Sequence, residues 1–253
     1  MNYEVKKILA ESSPNGKFDD LIFIKEQKKL TDEERFKVRF SPEIVESYFK
    51  IKGVEKISSD YPYWDTTTLS FKKPLLDLVR EKNSVLEMGC GPAATMTVFL
   101  CLNKKNIQAT AVDINNDFIN TAKTISKINK IKITFIHSEM FNKVKGEFDI
   151  LFTNPPYVPT KKLTPYITEN KAHQKAASGG ESGFFVIDSF LTESVFHLKD
   201  GGLILLGVQN KHLKDEDVKK HIRESGLKLV REYYDESEIF PKGPMSQIYI
   251  LKK

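Results

Sequence analysis

From residue 84 onward, short apolar runs alternate with longer amphipathic stretches. The apolar runs 84–88, 108–114, 132–137, 148–153, 203–208, 227–234 and 247–251 have strand length and β-branched content. Between them, 92–102, 116–129, 183–198 and 214–225 repeat apolar residues at helical spacing. This alternation predicts a doubly wound α/β domain, 61–253, around a mostly parallel seven-stranded sheet. The last two strands flank Pro241-Lys242-Gly243-Pro244 and are expected to pair antiparallel at an edge.

Residues 1–60 follow a different pattern and read as a small helical N-terminal region. Thr31 and Glu34 have capping-box spacing. Ser41-Pro42 starts a helix whose apolar stripe is Ile44, Val45, Tyr48 and Phe49, with Gly53 expected to end it. The region is too short for a large core, so it is expected to pack on the main domain or on a substrate, or to form a lid. The connector from Ser59 to Thr68 carries the sole tryptophan, Trp64. It reads either as a pinned linker or as a flap over a ligand. A helix from about Phe71 to Arg80 is expected to follow it.

Composition narrows the class. The chain has 253 residues, 40% hydrophobic and 29% charged, within the globular range. No apolar run is long enough to span a membrane, and the first residues lack the apolar core of a secretory signal. Cys90 and Cys101 form no metal or disulfide pattern and suggest a cytoplasmic protein. The five histidines lack ligand spacing, so no metal is expected. The net charge of +5 is mildly basic. Lys123, Lys127, Lys130 and Lys132 read as a solvated helix face, whereas Lys161, Lys162, Lys171 and Lys175 are candidates for a nucleic-acid or ribonucleoprotein contact.

The candidate chemistry lies at strand ends. The strand Phe148–Thr153 stops at Asn154-Pro155-Pro156-Tyr157. Two prolines forbid further strand pairing, because neither has an N–H. The Asn154 side-chain oxygen and the Pro155 carbonyl offer two acceptors that can grip the hydrogens of a planar NH2 group, and Tyr157 offers a ring to stack on it. The plainer reading is an ordinary turn. Upstream, Glu87-Met88-Gly89-Cys90-Gly91 joins a strand to a helix by a tight turn that lets a ligand approach the backbone. The third glycine of a nicotinamide fingerprint is replaced by Ala94. Asp113 ends the next strand, where an acid can hold ribose hydroxyls, and Asn115 or Asn116 can cap the helix in its place. Ser138-Glu139-Met140 ends a third strand.

Together these motifs resemble the class I S-adenosylmethionine-dependent methyltransferases, which have a Rossmann-like fold. The resemblance implies that Glu87, Gly89, Cys90 and Gly91 line the methionine end of the cofactor. It implies that Asp113 binds the ribose, Ile114 packs on adenine, and Glu139 and Met140 flank the base. Ala93 stands where the family often has glycine, and its methyl is expected to narrow the loop. The Asn154–Tyr157 corner and the later Ala177–Leu191 stretch resemble the HemK-type protein glutamine methyltransferases. Asp65-Thr66 is similar to the element by which that group covers the cofactor, and Asn154 lies at the same site.

These readings imply an N-methyltransferase moving a methyl group from S-adenosylmethionine to a planar amide or amine nitrogen. A protein glutamine in a translation factor or ribosomal protein is the leading acceptor. An RNA adenine amine is the alternative, followed by a small molecule. A cofactor-binding scaffold without catalysis is disfavoured by the intact Asn154–Tyr157 corner.

Overall fold

The computed structural model describes residues 3–13, 16–19, 22–23, 26, 29–31, 34, 37–57, 61–163, 168–169, 171–234, 239–240, 243–244 and 246–253. Ser59-Asp60 and Pro241-Lys242, within stretches named above, lie outside the described residues.

Seven strands form one sheet: β1 Ser84–Met88, β2 Gln108–Asp113, β3 Thr134–His137, β4 Phe148–Thr153, β5 Leu198–Gln209, β6 Lys228–Tyr234 and β7 Ser246–Lys252. Their order is β3-β2-β1-β4-β5-β7-β6. The first five pair in parallel, and β7 inserts antiparallel between β5 and β6. The antiparallel end is therefore present, with the last strand inside it rather than at the edge.

Alternation along each central strand divides the core. Ile150 and Phe152 of β4 face one layer with Leu75 and Leu100, whereas Leu151 faces the other with Ile187 and Phe190. The covering helices are α1 Tyr3–Glu11, α2 Pro42–Phe49, α3 Thr66–Ser70, α4 Lys72–Leu78, α5 Thr95–Asn103, α6 Asn116–Ile128, α7 Lys171–Ala177, α8 Phe185–Ser194 and α9 Asp215–Glu224. Among the described residues, no helix is long and apolar enough to cross a membrane.

Local chemistry sets several ends. Ser41 Oγ accepts from Ile44 N (3.3 Å), with Pro42 at the first helical position of α2. That helix stops before Gly53, because Lys50 at its C-cap is left-handed (φ 60°). Thr31 and Glu34 bond reciprocally, as the capping-box spacing predicts: Thr31 N donates to the Glu34 carboxylate (2.8 Å) and Glu34 N to Thr31 Oγ1 (3.2 Å). The helix expected from 92 starts only at Thr95, since Ala94 is left-handed (φ 45°).

The N-terminal region shares one hydrophobic cluster with α5 and α6. Phe23, Val45 and Phe49 pack with Val98, Phe99 and Ile125. Met96 and Leu100 of α5 meanwhile face the sheet. Helix α5 is thus covered on both sides, which explains why Thr95–Leu102 is apolar nearly all round.

Candidate active site

The strand order reverses between β1 and β4, and parallel sheets open a crevice outside the carboxyl ends at such a point. Met88 and Thr153 are register partners there, so Gly89 and Asn154 leave the sheet side by side. Thr153 Oγ1 donates to the Met88 carbonyl (2.9 Å) and ties the two strand ends together. A cleft of about 440 Å³ opens above them.

The Gly turn forms one wall. Gly89 (φ 75°) and Gly91 (φ 68°) are both left-handed, and a side chain on either would project into open space. Two consequences follow: residues with Cβ are disfavoured, and the bare backbone faces the cleft. Asp113 fixes this turn. Its Oδ2 accepts from Gly91 N (2.8 Å) and its Oδ1 from Asn115 N (2.9 Å). Burial raises the Asp113 pKa, and these backbone donors oppose the rise. Asn115 caps α6 through its own side chain, accepting from Asp117 N (2.9 Å).

Glu87 lies at the floor of the cleft and is almost fully buried. It accepts from Thr97 N (3.1 Å) and from the Thr97 hydroxyl. Burial pushes its carboxyl up to about 8, against those hydrogen bonds and with help from the Asp113 charge. Burial, reinforced by Asp113 and Glu87, also keeps the Cys90 thiol protonated. Ile114, half exposed, lines the cleft as well. Ala93 is buried in the N-terminal cluster, so its methyl points into the core and does not narrow the cleft.

The opposite wall is the Asn154 corner. Asn154 Nδ2 donates to Asp65 Oδ1 (3.0 Å). Its Oδ1 is buried and has no hydrogen-bond partner. Asp65 and Pro156 line the cleft beside it, while Pro155 is buried beneath.

Besides Pro155, four expected residues lie outside the cleft lining. Tyr157 is buried, with its hydroxyl bonded to Thr67 Oγ1 (2.9 Å), so its ring is a structural pin and does not line the cleft. Thr66 is buried and accepts from Gln209 Nε2 (2.5 Å). Glu139 is exposed and Met140 packs on the α8 side of the core; neither lines the cleft.

Other lining residues come from the connector, read above as a linker or a flap, and from helices α5 and α6, where the sequence reading named no site residue. Tyr61 and Phe118 meet edge to face (4.4 Å, 82°), and Thr95 and Met96 come from the start of α5. Trp64 does line the cleft, and its indole N–H is buried without a partner. Phe118 follows the α6 cap, and an aromatic there, off the apolar stripe Ile119-Ala122-Ile125, was an available signal. Lys175 reaches the cleft from α7, whereas Lys161 and Lys162 are exposed on a short turn and Lys162 Nζ donates to the His212 carbonyl (2.8 Å). Lys123, Lys127, Lys130 and Lys132 are exposed. Among the described residues, no cluster of His, Cys, Asp and Glu is arranged to hold a metal.

This sheet order, with a glycine turn after β1 and an acid ending β2, defines a class I S-adenosylmethionine-dependent methyltransferase. Comparison with known proteins agrees. Residues 70–183 match the methyltransferase small domain family. A Methanocaldococcus jannaschii protein that carries, provisionally, the name protein N5-glutamine methyltransferase is 31% identical over 159 residues, covering 61% of this chain and 76% of its own. The release factor glutamine methyltransferase of Streptococcus pneumoniae is 23% identical over 255 residues, covering 93% of this chain and 90% of its own. The fold is similar to that of a Pyrococcus furiosus methyltransferase (TM-score 0.60, 20% identity, 87% of this chain and 98% of that one). The chain belongs to the HemK-type branch of the class I methyltransferases, the family of the first two relatives. It is an S-adenosylmethionine-dependent N-methyltransferase.

Proposed function

We propose that the enzyme methylates the side-chain amide nitrogen of a glutamine in a protein partner of the translation machinery, a peptide-release factor. The names of the two relatives support this acceptor. The observation that carries the reading is the unpartnered Asn154 Oδ1 at the cleft. A buried acceptor without a donor is costly, and an incoming N–H relieves that cost.

The cleft fits the cofactor, because the left-handed Gly89 and Gly91 leave bare backbone beside a buried acid. When bound, S-adenosylmethionine supplies an activated sulfonium methyl. Glu87, Gly89, Cys90 and Gly91 are assigned to its methionine end, and Asp113 and Ile114 to its nucleoside. Asp113 holds the Gly turn directly, so its second role toward ribose uses the remaining lone pairs.

The protein's part is orientation. An amide nitrogen is a weak nucleophile because its lone pair is delocalised. Asn154 Oδ1 accepts one N–H and turns the nitrogen toward the methyl. Trp64 and Pro156 line the same volume. The amide nitrogen releases its proton to solvent as the neutral thioether product forms, since Glu87 and Asp113 are both engaged with neighbouring protein groups.

Radiolabelled methyl transfer to a glutamine-containing release-factor fragment tests this. Asn154→Ala is expected to lower kcat by about 10²-fold or more, with cofactor affinity unchanged in calorimetry. A folded variant with ordinary turnover would sink the reading. Label appearing in an RNA fraction, with steep salt dependence, would point to an adenine acceptor.

A further inference from the structure

Asp65 stands between the start of α3 and the acceptor corner. Its Oδ1 accepts from Thr68 N (2.8 Å), Thr68 Oγ1 (2.9 Å) and Asn154 Nδ2 (3.0 Å). The first two bonds belong to a capping box, completed by Asp65 N donating to Thr68 Oγ1 (3.1 Å). They hold the carboxylate in one place. The third bond reaches a residue 89 positions away.

A side-chain amide can turn over with little change of shape, exchanging oxygen for NH2. An ionised carboxylate only accepts. Facing Asp65, Asn154 therefore has one favourable setting, with NH2 toward the carboxylate and the oxygen left as the unpartnered acceptor. Turned over, its oxygen would face the carboxylate oxygen across the same short gap, and its NH2 would enter the acceptor space.

We infer that Asp65 is the positioning residue that fixes Asn154 as a hydrogen-bond acceptor and so restricts the methylated group to one that donates N–H. This rests on the role of Asn154 proposed above. A glutamine amide satisfies such a site, whereas a glutamate carboxylate presents oxygen to oxygen and is refused. Thr67, two residues on, holds Tyr157. Helix α3 thus secures both ends of the corner.

Three variants test this with glutamine and glutamate peptides. Asp65→Ser keeps a cap for Thr68 N but is too short to reach Asn154. Asp65→Asn keeps an acceptor oxygen at the original position. Thr68→Val removes the Oγ1 bonds of the cap and keeps Thr68 N as the donor that holds Asp65. Asp65→Ser is expected to lower kcat about tenfold or more, with Tm and cofactor Kd near wild type, and to narrow the preference for glutamine. Asp65→Asn is expected to recover most of the lost turnover. Unchanged kcat in Asp65→Ser overturns the inference. So does weaker cofactor binding with full kcat at saturation, or an equal loss of kcat in Thr68→Val. Asn154→Ala is measured alongside: if it is active, the reading of Asn154 fails. If it is inactive while Asp65→Ser is unimpaired, only the role of Asp65 fails.

Discussion

Glu87 shows how one buried side chain couples the fold to its ligand. Its ordinary pKa is 4.5, and in the folded chain it rises to about 8. Between those values the folded state holds a proton that the unfolded state has released. Stability therefore falls as pH rises through that window, and the full penalty is present above pH 8. A cationic ligand reverses the preference, since it favours the ionised carboxylate. Glu87→Gln is expected to raise Tm relative to wild type at pH 8.5, with little difference near pH 4.5, and to weaken S-adenosylmethionine binding. Melting curves at both pH values check the first part and calorimetry the second. A lower Tm at pH 8.5 would contradict the assignment of a buried neutral acid.

Among the elements, α3 does more than its five residues suggest. Its three threonine hydroxyls point to three different partners. Thr66 meets Gln209 on β5, Thr67 meets Tyr157, and Thr68 closes the cap on Asp65. The helix can sit this close to β5 because residue 207 is glycine. A Cβ there would meet the Phe71 ring and lie 2.6 Å from the Thr67 methyl. Gly207→Ala is expected to cost about 1–3 kcal/mol through overpacking. By displacing α3 it should also lower kcat more than it changes cofactor Kd. Denaturant titration and steady-state kinetics measure the two effects, and unchanged kcat would remove α3 from the acceptor site.

At the scale of the whole molecule, the N-terminal region and the sheet domain share a core. Phe49 is fully buried, with its ring edge-on to Phe99 of α5 at 5.8 Å. Helix α5 also supplies Thr97, which binds Glu87. The N-terminal region thus backs the helix that shapes the cofactor wall. Phe49→Ala is expected to destabilise the protein by about 3–5 kcal/mol, lowering the Tm of a single cooperative transition. Two separate transitions in calorimetry would show that residues 1–60 fold independently.

What the sequence determined by itself is the local part. Hydrophobic periodicity marks all seven strands and four of the main helices, because each signal fits within a window of one element. The Gly89–Gly91 turn, Asp113 and Asn154 were legible for a related reason: each sits at a strand end, and parallel α/β sheets bring those ends together. Helix α3 was hidden because its three threonines are weak helix formers, although Asp65 and Thr68 have capping-box spacing. Helix α7 lies in a stretch for which the sequence analysis assigned no element. Long-range packing decided the rest. It placed β7 between β5 and β6, buried Tyr157 against Thr67, and left Glu139 and Met140 outside the cleft. It also set Asp65 against Asn154, which no local pattern encodes, since a hydrogen bond across 89 residues depends on how the whole sheet and its helices close. The sequence carries the chemical groups, and the tertiary structure decides which of their atoms remain free to act.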